Sequence, residues 1–536
     1  MERANRMKRR EIEGWSIRWD EERAAAARQA GWWTGETLAD LLPRMAVADP
    51  DRLLVVDGGE RLTAAVLHER ASRLAAWLRA RVAPSGVISF MLPNWHEAAV
   101  IYFAATYAGL VANPILPSLR ERDTRFILED CKSRVVFVPE SFRNFGYGAM
   151  LAGIAQDMVD PPQLVVVRGE GAVAGTERLD DILAASEPGA NLRPDPDAVR
   201  MVMYTSGTTG RPKGVLHTHH SLGALLKQIG QHWRVDAGDR FLVPSPVSHI
   251  GGSIYAFEGP VMLGSTAVLM ERWEPVEALA IMRREGITHM AGATPFLEHL
   301  LAAAKQAQDH LPALKVFICG GASVPPALIE GASDWFANAC VTRVYGSTEV
   351  PVTTVGALAE KGMAEAAHSD GKAGIAEVII ADGGEIRARG PQMLAGYLRE
   401  EDEASAFDAA GFYRTGDQGE IDANGFLTVI GRIKDLIIRN GENIAPKEIE
   451  DILIDHPAIA DIAIVGVPDP KTGERACAVI VPAAGASPDV PMLADHLSAL
   501  GVTRFKYPET VVLRETLPRN EAGKVLKHVL RAELAG

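Results

Sequence analysis

Short apolar runs alternate with longer helical stretches over most of this chain, and this rhythm constrains the fold more than any other feature. The runs at 53–56 and 135–138 are typical of buried strands, and residues 63–81 between them carry apolar side chains at helical spacing. The alternation returns after residue 204, with further apolar runs at 241–243, 267–269 and 316–318. Strands that alternate with helices predict parallel sheets covered by helices, and the rhythm favours two such α/β halves.

A Gly-rich, strand-like texture replaces this rhythm between about residues 352 and 430. The Asn424–Gly425 pair, flanked by β-prone residues, is a strong short-range hairpin signal and indicates a small antiparallel subdomain. A further segment follows, with a predicted helix opening at Pro446 and predicted strands at 462–467 and 476–481. We interpret this last segment as a separate α+β domain.

The length supports a division into domains, because 536 residues exceed what one hydrophobic core covers. The predicted fold class is therefore α/β. A large N-terminal domain is expected over residues 1–433, with two α/β subdomains and a β subdomain at about 352–430. A smaller α+β domain is expected over residues 434–536.

Charge and hydropathy exclude several function classes. The net charge of −14 argues against binding along a nucleic acid backbone, which needs clustered Lys and Arg side chains. The most apolar segment, residues 98–112, is shorter than the roughly 20 residues that span a bilayer. It ends at Asn113–Pro114, a turn signal, and so predicts a buried helix rather than a membrane span. The basic residues 1–10 precede no apolar stretch, which argues against a secretory signal.

The four cysteines indicate a reducing compartment, which predicts a cytoplasmic protein. None of them is spaced as CxxC, so neither a zinc site nor a disulfide framework is expected. A catalytic cysteine is chemically conceivable. Cys319, however, follows the apolar run 316–318, where a small buried residue is the expected role.

The segment 204–214 carries the most chemical information. Its three glycines, Gly207, Gly210 and Gly214, let the backbone approach a ligand closely, so that several amide N–H groups can converge on one anion. Three threonines and a serine add hydroxyl donors, and Lys213 adds a positive charge, which together suit a triphosphate. The spacing from Gly207 to Lys213 differs from that of the common nucleoside triphosphatase loop. A flexible surface loop is the alternative, and it does not account for the whole pattern.

This segment resembles the phosphate loop of the adenylate-forming superfamily, which contains acyl- and aryl-CoA synthetases, carrier-loading adenylation domains and beetle luciferases. Further motifs similar to those of that family follow in the same order, at 345–349, 384–386, 413–417, 431–449 and 518–524. The similarity runs from about Met203 to the end of the chain. The N-terminal α/β region is compatible with it in length and rhythm.

The resemblance implies a role for each matching residue at the nucleotide. ATP and AMP would contact the phosphate loop, the strand end and the motif residues Thr205, Ser206, Gly207, Thr208, Thr209, Gly210, Gly321, Ala322, Tyr345, Gly346, Asp417 and Arg432. Tyr345 would stack on adenine, Asp417 would accept both ribose hydroxyls, and Arg432 would donate to the ribose. The alternative interpretations are a core tyrosine and an exposed ion pair, which would contribute about 0–1 kcal/mol to stability.

The same resemblance implies that the catalytic residues are Lys524, Thr348, Glu349 and Lys213. Thr348 would bond the α-phosphate, and Glu349 would hold Mg²⁺, a hard cation that prefers oxygen ligands. Lys524 would reach the acid and the α-phosphate and stabilise the charge of the transition state. A solvated surface charge is the alternative for both Glu349 and Lys524.

The acid would lie beside His249 and Gly320, where small residues leave room for a ring or a branched carbon. Relatives commonly have an aromatic residue where this chain has Ser248, so the local shape departs from the family pattern. A structural histidine is the alternative for His249. The nearby His217, His219 and His220 do not fit a usual zinc spacing, and we expect them to begin the helix behind the phosphate loop.

In relatives the C-terminal domain rotates between two half-reactions, and Lys434 matches the hinge position. Gly441 and Glu442 would then line the tunnel for the pantetheine thiol. Arg504 and Lys506, two cations around an aromatic residue, suit the phosphates and adenine of coenzyme A, with a charged surface turn as the alternative.

The sequence therefore predicts an ATP-dependent acid–CoA ligase that uses ATP, Mg²⁺ and coenzyme A. It would form acyl-AMP and pyrophosphate, then acyl-CoA and AMP. Two alternatives are a stand-alone enzyme that loads a carrier protein's phosphopantetheine and a non-catalytic nucleotide-binding protein. The overall pattern looks most like ligases for alicyclic, aryl or medium-chain acids, such as cyclohexanecarboxylate. A homodimer is compatible with the sequence.

Overall fold

The computed structural model describes residues 8–170, 173–206, 211–321, 324–439, 442–520 and 523–535. Its strands are β1 (Lys8–Ile12), β2 (Trp15–Trp19), β3 (Leu53–Asp57), β4 (Glu60–Thr63), β5 (Val87–Phe90), β6 (Val111–Pro114), β7 (Val135–Pro139), β8 (Gln163–Val167), β9 (Glu177–Arg178), β10 (Val199–Ser206), β11 (Pro212–Thr218), β12 (Arg240–Val243), β13 (Thr266–Leu269), β14 (His289–Gly292), β15 (Val316–Gly320), β16 (Cys340–Val344), β17 (Glu377–Ile380), β18 (Glu385–Arg389), β19 (Gly396–Tyr397), β20 (Tyr413–Ile421), β21 (Leu427–Arg432), β22 (Ile437–Arg439), β23 (Glu442–Ile444), β24 (Ile459–Asp469), β25 (Gly473–Pro482) and β26 (Thr510–Leu513).

The helices complete the secondary structure. They are α1 (Glu21–Gln29), α2 (Leu38–Ala48), α3 (Ala64–Arg79), α4 (His96–Tyr107), α5 (Glu121–Asp130), α6 (Tyr147–Gln156), α7 (Leu179–Ala185), α8 (His219–His232), α9 (Ile250–Ser253), α10 (Gly259–Met262), α11 (Pro275–Glu285), α12 (Thr294–Gln306), α13 (Pro326–Trp335), α14 (Ala364–His368), α15 (Pro446–Leu453), α16 (Val490–Ala499) and α17 (Lys527–Ala535). A π-helical turn, Ile254–Glu258, joins α9 to α10.

Two large sheets form the N-terminal domain. The first has the order β19-β11-β10-β6-β5-β7-β8-β9, and the second has the order β16-β15-β14-β12-β13-β3-β4. Most neighbouring strands are parallel, with antiparallel pairs at β10–β11, β11–β19 and β3–β4. The five apolar runs recognised in the sequence are all strands of these sheets, and residues 64–79 form the helix expected after Thr63, whose hydroxyl accepts from Val66 N. The α/β prediction is confirmed.

The core between the two sheets contains a helix, α4, that is buried on nearly every side. All twelve residues of α4 except Glu97 are buried, which is the pattern of a helix enclosed by protein. Tyr102, Phe103 and Tyr107 of α4 pack with Phe90, and Trp233 after α8 is buried in the same cluster. This confirms the prediction of a buried helix from the segment 98–112.

The predicted turn at Asn113–Pro114 is wrong. Both residues belong to the buried strand β6, which pairs with β5 on one side and β10 on the other. The polar side chain is tolerated because its amide is satisfied: Asn113 Nδ2 donates to Val202 O over 2.9 Å, and its Oδ1 accepts from Ser89 Oγ over 3.0 Å. Pro114 is the last residue of the strand, so its missing N–H removes a donor only where the strand ends.

A four-stranded antiparallel sheet with the order β17-β18-β20-β21 follows. Its strands begin at Glu377, while residues of the preceding segment, such as Ala357 and Ala366, pack in the core of the second large sheet. The hairpin predicted at Asn424–Gly425 joins β20 to β21, with Gly425 at φ +84° and Asp422 capping the turn. The strand β19 does not join this sheet, because it pairs with β11 of the first large sheet.

The smaller C-terminal domain is α+β, as predicted. Its five-stranded sheet combines β23-β22-β25-β24 with β26, and α15 opens at Pro446. The side chains of Ile449, Leu453, Ile464 and Leu497 share its core. Within the described ranges, every helix is too short or too polar to span a bilayer.

Candidate active site

One edge of the second large sheet brings together several of the predicted site residues. Because its strands β12, β14, β15 and β16 are parallel, the segments that follow them meet at one edge, where ligands bind in open α/β sheets. Ser248–His249 follows β12, Pro295 follows β14, Gly320 ends β15, and Tyr345 follows β16. The sheet therefore brings the predicted acyl and adenine contacts together.

Tyr345, Asp417 and Arg432 form a hydrogen-bonded corner beside this edge. Tyr345 Oη donates to Asp417 Oδ2 over 2.6 Å, and Arg432 Nε lies 3.3 Å from Asp417 Oδ1. Asp417 and Arg432 are direct cross-strand partners in β20 and β21, so the sheet register fixes the ion pair. Burial, followed by the negative charge of Asp417, raises the pKa of the Tyr345 hydroxyl well above its ordinary value. The hydroxyl is therefore a donor at neutral pH.

Lys524 of the C-terminal domain lies at this corner. A tight turn holds Lys524 in place, because Asn520 N donates to Lys524 O and Lys524 N donates to Asn520 Oδ1 over 2.8 Å. Gly523 in this turn adopts φ +77° and lies near Pro295 of the N-terminal domain. Burial, followed by the positive charge of the nearby Arg432, lowers the pKa of the Lys524 ammonium to about 8, against the opposing effect of Asp417. The chain end thus meets the N-terminal domain at the predicted nucleotide site.

The phosphate segment begins and ends in the antiparallel pair β10–β11. Thr205 lies opposite Lys213 and Ser206 opposite Pro212, so these strands hold the mouth of the loop. Gly207, Thr208, Thr209 and Gly210 lie outside the described residues. Lys213 Nζ lies 3.6 Å from Asp402 Oδ1 and 5.4 Å from the centre of the Tyr397 ring. Its ammonium therefore lies beside the strand pair that flanks residues 207–210.

Thr348 and Glu349 are buried next to these strands. The preceding Gly346 is required by packing, because a Cβ atom there would lie 2.7 Å from Val352 N. The Thr348 carbonyl accepts from His217 Nε2 over 2.7 Å. Glu349 Oε1 accepts from Tyr397 Oη over 3.0 Å, and no ion pair among the described residues includes Glu349. A buried carboxylate without a cationic partner suits Mg²⁺, which binds through oxygen ligands.

Tyr397 was not predicted from the sequence. It belongs to the two-residue strand β19, and only the pairing of that strand with β11 brings its hydroxyl to Glu349. Nothing in the local pattern Gly396–Tyr397 signals a contact with a residue 48 positions earlier. The interaction is a product of sheet topology.

The acyl side of the edge combines glycines with the half-buried imidazole of His249. A Cβ atom at Gly320 would lie 2.8 Å from Val344 O, and one at Gly252 would lie 2.1 Å from Pro246 O, so both positions need glycine. Gly321 adopts φ +84°, and Ala322 lies outside the described residues. His249 caps α9, with its Nδ1 3.4 Å from Gly251 N. Burial lowers the pKa of His249, which favours the neutral ring at pH 7.

The three histidines at 217–220 each have a separate structural role. His217 bonds Ser221 Oγ and the Thr348 carbonyl, and burial lowers its pKa to about 4. His220 bonds Asp197 and the Thr34 carbonyl, each over 2.6 Å, and stacks on Trp33. The helix α8 begins at His219, as predicted. These imidazoles do not converge on one point.

The predicted hinge and CoA contacts lie in the C-terminal domain. Lys434 is exposed in a 3₁₀ turn, Ile433–Asp435, directly after β21. Glu442 is exposed on β23, and Gly441 lies outside the described residues. Arg504 is exposed, whereas Lys506 Nζ forms an ion pair with Glu448 over 2.6 Å. The two predicted cations therefore differ, because only the Lys506 charge is already paired with a carboxylate.

A second polar cluster, not predicted from the sequence, lies beside a cavity of about 510 Å³. Asp57, His96 and Glu97 approach one another closely enough to hold a cation. The guanidinium of Arg168 occupies that position instead: its Nε lies 2.6 Å from Glu97 Oε1, its Nη2 bonds Asp57, and it stacks on Trp95. We interpret the cluster as a structural ion network in which Arg168 pairs with both carboxylates.

Comparisons with known proteins agree with this geometry. The AMP-binding enzyme family matches residues 42–398, and its C-terminal domain family matches residues 448–524. The chain is 34% identical over 535 residues to the medium-chain fatty-acid–CoA ligase of Escherichia coli K12, covering 97% of this chain and 94% of that protein. It is 32% identical over 511 residues to a 3-[(3aS,4S,7aS)-7a-methyl-1,5-dioxo-octahydro-1H-inden-4-yl]propanoyl:CoA ligase of Rhodococcus jostii RHA1, covering 93% and 98%.

The fold agrees as well. The crystal structure of ATP-bound MatB from Rhodopseudomonas palustris superimposes with a TM-score of 0.82 at 27% identity, covering 92% of this chain and 98% of that one. The family match extends over more than half of the sequence and includes the phosphate segment, Tyr345 and Glu349. This chain therefore belongs to the AMP-binding enzyme family.

Proposed function

We propose that this enzyme activates an apolar monocarboxylic acid of the alicyclic, aryl or medium-chain class through the corner formed by Tyr345, Asp417, Arg432 and Lys524. The convergence of these four residues from two domains is the observation that carries the proposal. The names of the two relatives, a medium-chain fatty-acid–CoA ligase and a ligase for a ring-bearing propanoate, support the substrate class.

The reaction is that of an ATP-dependent, AMP-forming acid–CoA ligase. A carboxylate oxygen of the acid attacks the α-phosphorus of ATP, and the bond to pyrophosphate breaks. The coenzyme A thiol, deprotonated to the thiolate, then attacks the acyl carbonyl, and AMP leaves. The protein positions the reactants and stabilises charge, so no covalent enzyme intermediate is needed.

Each residue at the corner has a proposed role in the first step. Tyr345 would provide an aromatic face for adenine. Asp417 would accept the ribose hydroxyls, and Arg432, already paired with it, would donate to the ribose oxygens. Lys524 would bind both the acid carboxylate and the α-phosphate, holding the attacking oxygen in line and stabilising the charge that develops at phosphorus.

The phosphates would lie between the segment 205–214 and Glu349. Backbone amides and hydroxyls of the loop, with Lys213 at its base, would bind the β- and γ-phosphates. Thr348 would bond the α-phosphate. Glu349 would hold Mg²⁺, which supplies partial neutralisation of the phosphate charge when bound. The acyl group would extend past Gly320 toward His249.

We propose that the present arrangement of the two domains corresponds to acyl-AMP formation, because Gly523 packs near Pro295 of the N-terminal domain and the charges of Asp417 and Arg432 act on Lys524. Thioester formation would require rotation of the C-terminal domain about Lys434. The rotation would exchange Lys524 for the segment around Gly441 and Glu442. Arg504 is exposed and free to meet a coenzyme A phosphate, whereas Lys506 would first have to leave Glu448.

Product analysis tests the reaction and its thiol. We expect purified enzyme with ATP, Mg²⁺ and octanoate, benzoate or cyclohexanecarboxylate to exchange pyrophosphate into ATP. With coenzyme A it should release acyl-CoA, detected by mass spectrometry. Accumulation of acyl-AMP without acyl-CoA would instead indicate a carrier protein as the acceptor. ATP binding without exchange for any acid in the panel would contradict the proposed function.

The pKa of Lys524 predicts an alkaline limit to adenylation. In the ligand-free enzyme this pKa is lowered from 10.5 to about 8. The ammonium is the active form, so kcat/KM for ATP in pyrophosphate exchange should fall as the pH rises through about 8, since kcat/KM reports groups of the free enzyme. In Lys524→Arg the guanidinium stays charged throughout this range. Its remaining activity should lack the decline, and a decline at the same pH in that variant would assign the titration to another group.

We further propose a cytoplasmic location, because all four cysteines are free and buried, as in proteins of reducing compartments. A homodimer also remains a prediction. Light scattering of the purified protein measures it directly.

A further inference from the structure

Glu349 is held by a residue that the sequence analysis did not assign. Its carboxylate is buried, and its Oε1 accepts from Tyr397 Oη over 3.0 Å. Tyr397 is itself 3% exposed, and its hydroxyl lies 3.4 Å from Tyr413 Oη. A hydroxyl donor orients one carboxylate oxygen but leaves the charge of the carboxylate in place. A lysine in the same position would neutralise that charge. The Tyr413 hydroxyl also interacts with Glu349, and no Lys, Arg or His among the described residues forms an ion pair with this carboxylate, which leaves it available to a metal ion.

Tyr397 is in turn fixed from two directions. Its backbone pairs with Val215 of β11, two residues after Lys213. Its N–H donates to Glu403 Oε1 over 3.0 Å. A Cβ atom at Gly396 would lie 2.5 Å from the same Glu403 oxygen, so the backbone approaches this carboxylate closely. The Glu403 side chain therefore sets the position of the strand that carries Tyr397.

The other oxygen of Glu403 binds two arginines from the N-terminal hairpin β1–β2. Arg9 Nη1 lies 3.0 Å and Arg18 Nη1 lies 3.4 Å from Glu403 Oε2. Arg18 N also donates to Ala395 O over 2.7 Å, directly before β19. The buried side chains of Ile12, Ile17 and Trp19 anchor the hairpin. The hairpin lies before residue 42, where the match to the family begins. A continuous series of contacts thus leads from the chain's N-terminal hairpin to Glu349.

We propose that Tyr397 is a positioning residue for the cation-binding carboxylate of Glu349, and that the N-terminal hairpin holds Tyr397 in place through Glu403. The inference rests on the proposed function, in which Glu349 binds the Mg²⁺ that accompanies ATP. It follows from the same rule that governs other metal sites: a donor behind the ligand fixes its orientation, and its removal typically costs about 10- to 100-fold in metal affinity or activity.

Tyr397→Phe in the full-length enzyme tests this role, because it removes one hydroxyl and keeps the buried ring. The Mg²⁺ concentration for half-maximal pyrophosphate exchange should rise about tenfold, while KM for the acid changes little. Mn²⁺ binding in the presence of ATP, measured by electron paramagnetic resonance without turnover, should weaken by a similar factor. Thioester formation from supplied acyl-AMP, which needs no pyrophosphate departure, should keep its rate.

Tyr147→Phe is the matched control. This substitution also removes a hydroxyl from a buried ring, but the Tyr147 hydroxyl donates to Pro117 O over 2.9 Å and not to Glu349. This variant should keep the wild-type Mn²⁺ affinity. An unchanged Mn²⁺ affinity in Tyr397→Phe would overturn the role of Tyr397, whereas a wild-type enzyme that exchanges no pyrophosphate would overturn the proposed function itself.

The hairpin is tested by Glu403→Gln and Arg18→Met. Both should weaken Mn²⁺ binding in the same direction as Tyr397→Phe, and combining either with Tyr397→Phe should add little, because all act through one hydroxyl. Arg28→Met is the control within the N-terminal segment, since Arg28 pairs with Asp197 and not with Glu403. If Arg28→Met and Arg18→Met weaken Mn²⁺ binding equally, the hairpin acts through general stability, and its proposed link to Glu349 is wrong.

Discussion

Replacing Lys524 with alanine is expected to lower the rate of acyl-AMP formation by about 10²- to 10³-fold, the loss typical when a group that stabilises transition-state charge is removed. Lys524 is the cation that the C-terminal domain brings to Asp417 and Arg432. Alanine leaves the attacking carboxylate and the α-phosphate without that charge. Pyrophosphate exchange with a good acid measures this step alone.

The second half-reaction should survive the same substitution. If the C-terminal domain rotates away, Lys524 takes no part in attack by the thiol, so acyl-CoA formation from supplied acyl-AMP should stay within about threefold of the wild-type rate, a difference of under 1 kcal/mol in activation free energy. Equal loss of both half-reactions would contradict the proposed rotation.

Lys527→Ala is the matched control for this experiment. Lys527 lies three residues further on and would be an equally good candidate from sequence position alone. Its Nζ forms an ion pair with Glu450 over 2.6 Å, inside the C-terminal domain. Losing that pair should affect stability slightly and leave exchange intact. A strong loss of exchange in Lys527→Ala, with Lys524→Ala active, would move the catalytic assignment to Lys527.

The architecture was predictable because its signals are local. The apolar runs at 53–56 and 241–243 are buried on both faces, as strands of covered parallel sheets must be, and so they read as continuous hydrophobic stretches. Asn113–Pro114 misled for the same local reason. The Asn113 amide is hydrogen-bonded inside the sheet by Val202 O and Ser89 Oγ. Both partners are distant in sequence, so the Asn-Pro pattern alone does not reveal them.

The site was predictable only in part, for a related reason. Sequence motifs identified Tyr345, Asp417 and Arg432 as candidate site residues, and the structure places the three side chains together. The charge pairing of Lys506 with Glu448 and the contact of Tyr397 with Glu349 depend on tertiary structure. The residues proposed to contact the nucleotide belong to sequence motifs, whereas the residues that orient them depend on tertiary distances that no sequence spacing encodes.

Asp417→Ala is expected to raise KM for ATP by roughly 10- to 100-fold, since a hydrogen bond to a charged group is worth about 1.5–3 kcal/mol. The carboxylate already accepts from Tyr345 Oη and faces Arg432, so it is held in place before the nucleotide arrives. Alanine removes the ribose acceptor and leaves both neighbours without their partner. Initial rates of pyrophosphate exchange over a range of ATP concentrations measure the effect, and KM for the acid should change much less.

Asp422→Ala separates this effect from simple destabilisation of the same sheet. Asp422 lies at the far end of the β20–β21 hairpin, where its Oδ1 accepts from Asn424 N and Phe426 N over 2.9 and 2.8 Å. Both variants should lower the Tm, because each removes a carboxylate that bonds its own sheet. Only Asp417→Ala should raise KM for ATP. If the two variants raise KM equally, the role of Asp417 is to hold the sheet together, and the nucleotide must be bound elsewhere.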